Sequence, residues 1–127
     1  MKKVLIVDDA ADSRLLFKKL LEKYPVEILE AKDGKEAWDI ILKEQPHLVL
    51  LDIHMPNKDG FELLEDLKEE WISIPVAVVS NDDEAITIES SFYLGAQAFL
   101  KKPIDLKEFK DVIRVLNLPE QNTSYWG

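Results

Sequence analysis

Five short apolar runs recur along the chain: Val4–Val7, Val26–Leu29, Leu48–Leu51, Val76–Val79 and Ala98–Leu100. Most carry Val, Ile and Leu without polar alternation, the pattern of strands covered on both faces in a parallel sheet. The segments between them change period. Leu16, Leu20 and Tyr24 form a helical stripe, as do Ala37, Ile40, Ile41 and Glu44, then Phe61, Leu64 and Leu67. After the last run, Leu106, Phe109, Val112, Ile113 and Leu116 mark a further apolar helix face. Ile86, Ile88, Phe92 and Tyr93 in the fourth such segment cannot all face inward, so part of that helix is expected to be an exposed apolar patch.

Punctuation supports the same division. Asp12 or Ser13 is placed to cap the first helix, and Asp33-Gly34 marks the turn into the second. Asp59 with Glu62 has capping-box spacing at the third, and Asp105 with Glu108 repeats it at the fifth. One of Asn81, Asp82 and Asp83 opens the fourth, and Pro46, Pro75 and Pro103 fall at junctions. Five strand-helix units in a row predict an α/β fold with a doubly wound, five-stranded parallel sheet.

The length of 127 residues suits one domain, expected over 1–116, followed by a polar tail over 117–127. With no Cys, thiolate metal sites, disulfides and Cys nucleophiles are excluded, and two His make a His-based metal site a poor fit. The net charge of -9 argues against direct binding to nucleic acid or to an anionic membrane. No apolar run approaches the ~18 residues of a membrane span, and Met1-Lys2-Lys3 leads straight into the first strand without a signal-peptide pattern. A cytoplasmic location is the expectation. The charge is uneven: residues 1–24 carry a net of +2, whereas residues 59–94 hold ten acids and one Lys.

Candidate chemistry sits where the strands end, since open α/β sheets bind ligands at the carboxyl edge. Asp8 and Asp9 follow the first run, Asp52 the third, Ser80 the fourth, and Lys101, Lys102 and Pro103 the fifth. Two carboxylates about 4 Å apart repel by roughly 4 kcal/mol at an effective dielectric near 20. Three together call for a compensating cation or a raised pKa. An oxygen-only set with open positions favours Mg²⁺ or Mn²⁺ over zinc. Metal, Lys and hydroxyl around a carboxylate nucleophile describe a phosphoryl-transfer site.

Val-Leu-Ile-Val-Asp8-Asp9, Leu-Leu-Asp52-Ile-His-Met-Pro56 followed by Gly60, Val-Val-Ser80 and Phe99 with Lys102-Pro103 together resemble the receiver domain of bacterial two-component response regulators. The resemblance covers residues 2 to about 116 and implies the flavodoxin-like receiver topology. It implies that Asp52 accepts a phosphoryl group from a sensor histidine kinase or phosphotransfer protein. It also implies that Mg²⁺ (or Mn²⁺) is held by Asp8, Asp9, Asp52 and the backbone carbonyl of His54. Lys102 would bind the phosphoryl group, the Lys102–Pro103 bond would be cis, and Lys101 would be a bystander. Ser80 would be the switch hydroxyl and Phe99 the switch aromatic. Their movement would reshape the surface of the fourth helix, fifth strand and fifth helix for a downstream partner or a phosphorylation-dependent dimer of an otherwise monomeric protein. Such a chain is a signalling module rather than an enzyme, catalysing only its own phosphoryl transfer and autodephosphorylation.

Taken alone, Ser80 reads as a helix-opening residue, Phe99, Met55 and Trp38 as packing, and the His54 side chain as exposed and uninvolved. Gly60 reads as a place where the loop comes close to the site. Asn81 stands where the family commonly has Ala or Gly, so it is expected to hinder attack on the phosphoryl group. Three rivals remain at this point. A receiver-like interaction domain would lack a site residue, and none is missing. A flavodoxin-like cofactor binder needs a Ser/Thr/Gly-rich loop after the first strand, where Asp8-Asp9-Ala10-Ala11-Asp12 would repel phosphate. An Asp-dependent phosphatase wants an acid/base carboxylate two residues past the nucleophile, where His54 stands.

Overall fold

The computed structural model describes residues 1–55 and 57–119. Its elements alternate as β1 (Lys2–Val7), α1 (Ala11–Leu21), β2 (Val26–Ala31), α2 (Gly34–Glu44), β3 (Leu48–Asp52), α3 (Gly60–Glu69), β4 (Val76–Ser80), α4 (Ala85–Tyr93), β5 (Ala98–Lys101) and α5 (Leu106–Ile113). A short 3-10 turn, Arg114–Leu116, follows α5. All five predicted strands form, and every pairing is parallel, in the order β2-β1-β3-β4-β5.

The Val/Ile/Leu strands are buried on both faces because each face carries its own core. Leu5, Val7, Val49, Leu51, Val76 and Val78 point to one side, against Ala37 and Ile41 of α2 and Leu63, Leu64 and Leu67 of α3. The alternate residues Val4, Ile6, Leu48, Leu50, Ala77 and Val79 pack on the other, against Phe17 and Leu21 of α1 and Phe109 and Ile113 of α5. This is the period-2 alternation of a strand read out as two apolar layers. Trp38 and Met55 are part-buried against the first core. Trp126 lies outside the described residues.

Two local expectations need correction. Of the first stripe, Leu20 and Tyr24 pack part-buried against the second core, but Leu16 is about half exposed, and the fully buried residues of α1 are Phe17 and Leu21. Leu15, Leu16, Phe17, Leu20 and Leu21 offer two apolar faces, and the sheet selects the one that seats the Phe17 ring beside Phe109. The helix also starts earlier than Asp12 allows as a cap. Ala10 is the N-cap without a side-chain cap, and its N–H donates to Asp8 Oδ1 at 2.9 Å. At α4 none of Asn81, Asp82 and Asp83 is the cap, because the chain makes one more turn and enters the helix at Glu84. Asp33, Asp59 and Asp105 do cap α2, α3 and α5, with a complete capping box at Asp59 and Glu62.

Candidate functional site

The strand order reverses beside β1, so the crevice at the carboxyl ends of β1 and β3 is the ligand-binding position of this architecture. Asp8 lies one residue beyond β1, its N–H donating to Ala31 O of β2 at 3.0 Å. Its side chain is buried, at 2% exposure. Asp9 is exposed beside it, and Asp52 ends β3 at an intermediate depth. Carboxylate oxygens of these three residues all lie within 4.8 Å of one another.

Lys102 enters this group from the end of β5. Its Nζ is 3.0 Å from Asp8 Oδ2 and donates to Ser13 Oγ at 3.4 Å. Lys101 points elsewhere, to Asp83 at 2.9 Å on the surface. The Lys102–Pro103 bond is cis, and the Lys102 N–H donates to Ser80 O at 2.9 Å. Ser80 ends β4 with its hydroxyl buried, accepting the Asp82 N–H at 3.0 Å. Phe99 sits in β5, part-buried against the α2 and α3 side of the sheet.

The electrostatics follow from this crowding. Burial pushes the Asp52 carboxyl up to about 6, helped by the Asp8 and Asp9 charges and opposed by Lys102 and by the His54 N–H. That N–H donates to Asp52 Oδ1 at 3.3 Å. One ammonium among three carboxylates leaves the cluster short of positive charge, and its donors are all hard oxygens. That set fits a divalent cation of the Mg²⁺ or Mn²⁺ kind.

The loop after β3 is held tightly against the site. A Cβ on Gly60 would meet Asp52 O and Ile53 Cα at 2.8 Å, so the close approach needs glycine. The Gly60 N–H donates to Ile53 O at 2.9 Å.

Several contacts were not visible in the sequence. The His54 side chain is exposed but not uninvolved: its Nε2 lies 3.1 Å from Asp82 Oδ2. Asp82 also accepts from Thr87 Oγ1 at 2.9 Å and from the Glu84 N–H at 3.1 Å. The Glu84 N–H, with His54 and Thr87, holds the Asp82 carboxyl below its usual range. Asp82 thereby links the loop after β3 to Ser80 and to α4. Arg14 is the other addition. Its Nη1 donates to Asp8 O at 2.7 Å, and its Nε is 3.1 Å from Glu30 Oε1. No spacing rule marks these residues, because each pairing depends on how separate loops meet.

A doubly wound sheet with an acidic cluster at the strand-order reversal, and a lysine reaching into it from the last strand, defines a narrow class of α/β signalling and phosphoryl-transfer proteins. The family model of the response regulator receiver domain matches residues 4–114. The chain belongs to that family and is a receiver domain of two-component signalling. It is 36% identical to the sporulation initiation phosphotransferase F of Bacillus subtilis, over 89% of this chain and 91% of that protein. It is 39% identical to protein-glutamate methylesterase/protein-glutamine glutaminase 3 of Vibrio cholerae, over 80% of this chain but only 29% of that protein. The solved receiver domain of the Francisella response regulator 1452 superposes with a TM-score of 0.81 at 31% identity, covering 92% of this chain and 95% of that one. Among the described residues no helix is long and apolar enough to cross a membrane.

Proposed function

We propose that Asp52 is the phosphoacceptor of this receiver domain, taking its phosphoryl group from a phosphohistidine on a sensor histidine kinase or phosphotransfer protein. The observation that carries the reading is the gathering of Asp8, Asp9 and Asp52 within 4.8 Å, with Lys102 at 3.0 Å from Asp8. Asp8, Asp9, Asp52 and the His54 backbone carbonyl would hold Mg²⁺ (or Mn²⁺). When bound, the metal supplies positive charge that masks the nucleophile and the transferring phosphoryl oxygens.

The chain's own residues do the rest. Asp52 attacks phosphorus through a carboxylate oxygen, forming an O–P bond as the donor's N–P bond breaks. The electron pair of that bond returns to the imidazole nitrogen of the donor. Lys102, kept in place by Asp8 and Ser13, neutralises charge on the equatorial oxygens. The product is an acyl phosphate, reactive enough to be transient. Ser80 Oγ, now an acceptor for the Asp82 N–H, is a hydroxyl that can instead donate to a phosphoryl oxygen. Its inward turn would free space for Phe99 and shift a pre-existing equilibrium of α4, β5 and α5. That surface would bind the downstream partner, and Ile86 at 65% exposure and Leu106 at 60% give it an apolar component.

The test is intact-mass measurement after incubation with acetyl phosphate, with Mg²⁺ or with a chelator. A gain of about 80 Da, one phosphoryl group, is expected with Mg²⁺ only, and none in Asp52→Asn. Equal labelling of Asp52→Asn would overturn the assignment.

A further inference from the structure

α3 and α4 finish side by side near the start of β4, at the end of the sheet opposite Asp52. Both close with the same hydrogen-bonded motif, in which the residue after the C-cap adopts a left-handed backbone. In α4 that residue is Gly95, with φ +108, and the motif bonds are Gly95 N–H to Phe92 O and Ala96 N–H to Ser91 O, both 3.0 Å. In α3 it is Trp71, with φ +57, and the bonds run from Trp71 N–H to Lys68 O at 3.2 Å and from Ile72 N–H to Leu67 O at 2.9 Å. A bulky side chain is disfavoured in this conformation, where glycine is the usual occupant. Trp71 is also 93% exposed, leaving its indole in water. One position thus carries two costs that folding does not require.

Trp71 borders a groove of about 300 Å³ whose apolar wall is Leu64, Leu67, Ile72 and Leu94. Gly95 leaves another wall open, with nothing within 4 Å of where a Cβ would stand. Tyr93, 78% exposed, extends the surface, with Lys68 Nζ 4.8 Å over its ring. Lys68 is the one charged residue lining the groove itself, and the helices that flank it are predominantly acidic. The carbonyl ends of both helices face this region, and Glu65, Glu69, Glu70 and Glu89 are exposed on the two helices and just past α3. Lys68 is the one Lys among residues 59–94, against ten acids.

We propose that this groove docks a basic amphipathic helix of a partner protein, with Trp71 as the anchor. Such a helix would lay leucine-like residues spaced i, i+3, i+7 into the groove and set Lys or Arg flanks against the glutamates. A second copy of the chain fits poorly, because a symmetric contact through Trp71 would bring Glu69 and Glu70 against their own copies in a chain of net charge -9. The site lies at the end of the sheet opposite Asp52.

The probe is a labelled, end-blocked helical peptide of about 18 residues with a leucine stripe and lysine flanks, alongside a twin with glutamate flanks. Fluorescence anisotropy at low salt should show saturable binding of the lysine peptide and none of its twin. Trp71→Gly should weaken binding about tenfold or more, and Glu69→Lys with Glu70→Lys similarly, while Leu106→Ala leaves it unchanged. Trp71→Gly should keep or raise the Tm, since glycine suits the backbone there, so lost binding cannot be ascribed to misfolding. Absence of binding, equal binding of the twin, or unchanged affinity in Trp71→Gly would overturn the proposal. So would a dimer of the parent chain that Trp71→Gly dissolves, which would make the occupant a second copy.

Discussion

Replacing Asp52 by Asn should make the metal-free protein more stable. Asn keeps the shape and an acceptor for the His54 N–H, but removes one of three crowded charges. The Asp52 carboxyl rises from an ordinary 3.8 to about 6 in the folded chain, so folding holds its proton more tightly than the unfolded chain does. The folded state therefore loses stability as pH climbs from about 4 to about 6 and stays penalised above that window. A rise of that size corresponds to roughly 3 kcal/mol, reduced to roughly 2 because the group is partly solvated and coupled to Asp8. Urea unfolding in a chelator at about pH 7.5 should show Asp52→Asn more stable by roughly 2 kcal/mol, with a Tm higher by roughly 5–10 °C. The gain should shrink toward zero near pH 4, where both folded and unfolded Asp52 are protonated in growing measure. Mg²⁺ should raise the stability of the parent and much less that of the variant. An Asn variant no more stable than the parent at neutral pH, or a gain that persists undiminished at low pH, would refute the electrostatic reasoning.

Lys102→Met should cost roughly 3 kcal/mol in the same unfolding assay, because it strands the buried Asp8 charge, and it should also abolish labelling of Asp52. Gly60→Ala should destabilise by about 1–3 kcal/mol, since the added methyl meets Asp52 O at 2.8 Å, and phosphoryl uptake should fall with it. Asn81→Ala should speed loss of the phosphoryl group, measured as decay of the adduct mass after the donor is removed. A slower or unchanged decay would count against steric shielding by Asn81.

The parts of this molecule legible in the sequence were those set by local rules. Val4–Val7 and Leu48–Leu51 announce buried strands, and Asp33, Asp59 and Asp105 announce helix starts. Because ligand chemistry collects at strand ends, Asp8, Asp52, Ser80 and Lys102 could be named before any fold was built. What escaped depended on tertiary approach. Leu16 and Phe17 are equally apolar, and only the position of the sheet decides between them. The Asp82 contacts with His54 and Thr87 need two loops and a helix to converge. Trp71 gave no signal at all, because its left-handed backbone sits at a helix end where the sequence shows Glu69-Glu70-Trp71 rather than the glycine that marks such a turn.

Borohydride trapping reads an acyl phosphate at a single carboxylate directly. Reduction of the labelled protein should convert residue 52 to homoserine, located by peptide mass spectrometry, in samples charged with a phosphohistidine donor and Mg²⁺ and in no sample lacking either. Homoserine at position 8 or 9 instead, or a stable label that survives reduction elsewhere in the chain, would contradict Asp52 as the phosphoacceptor.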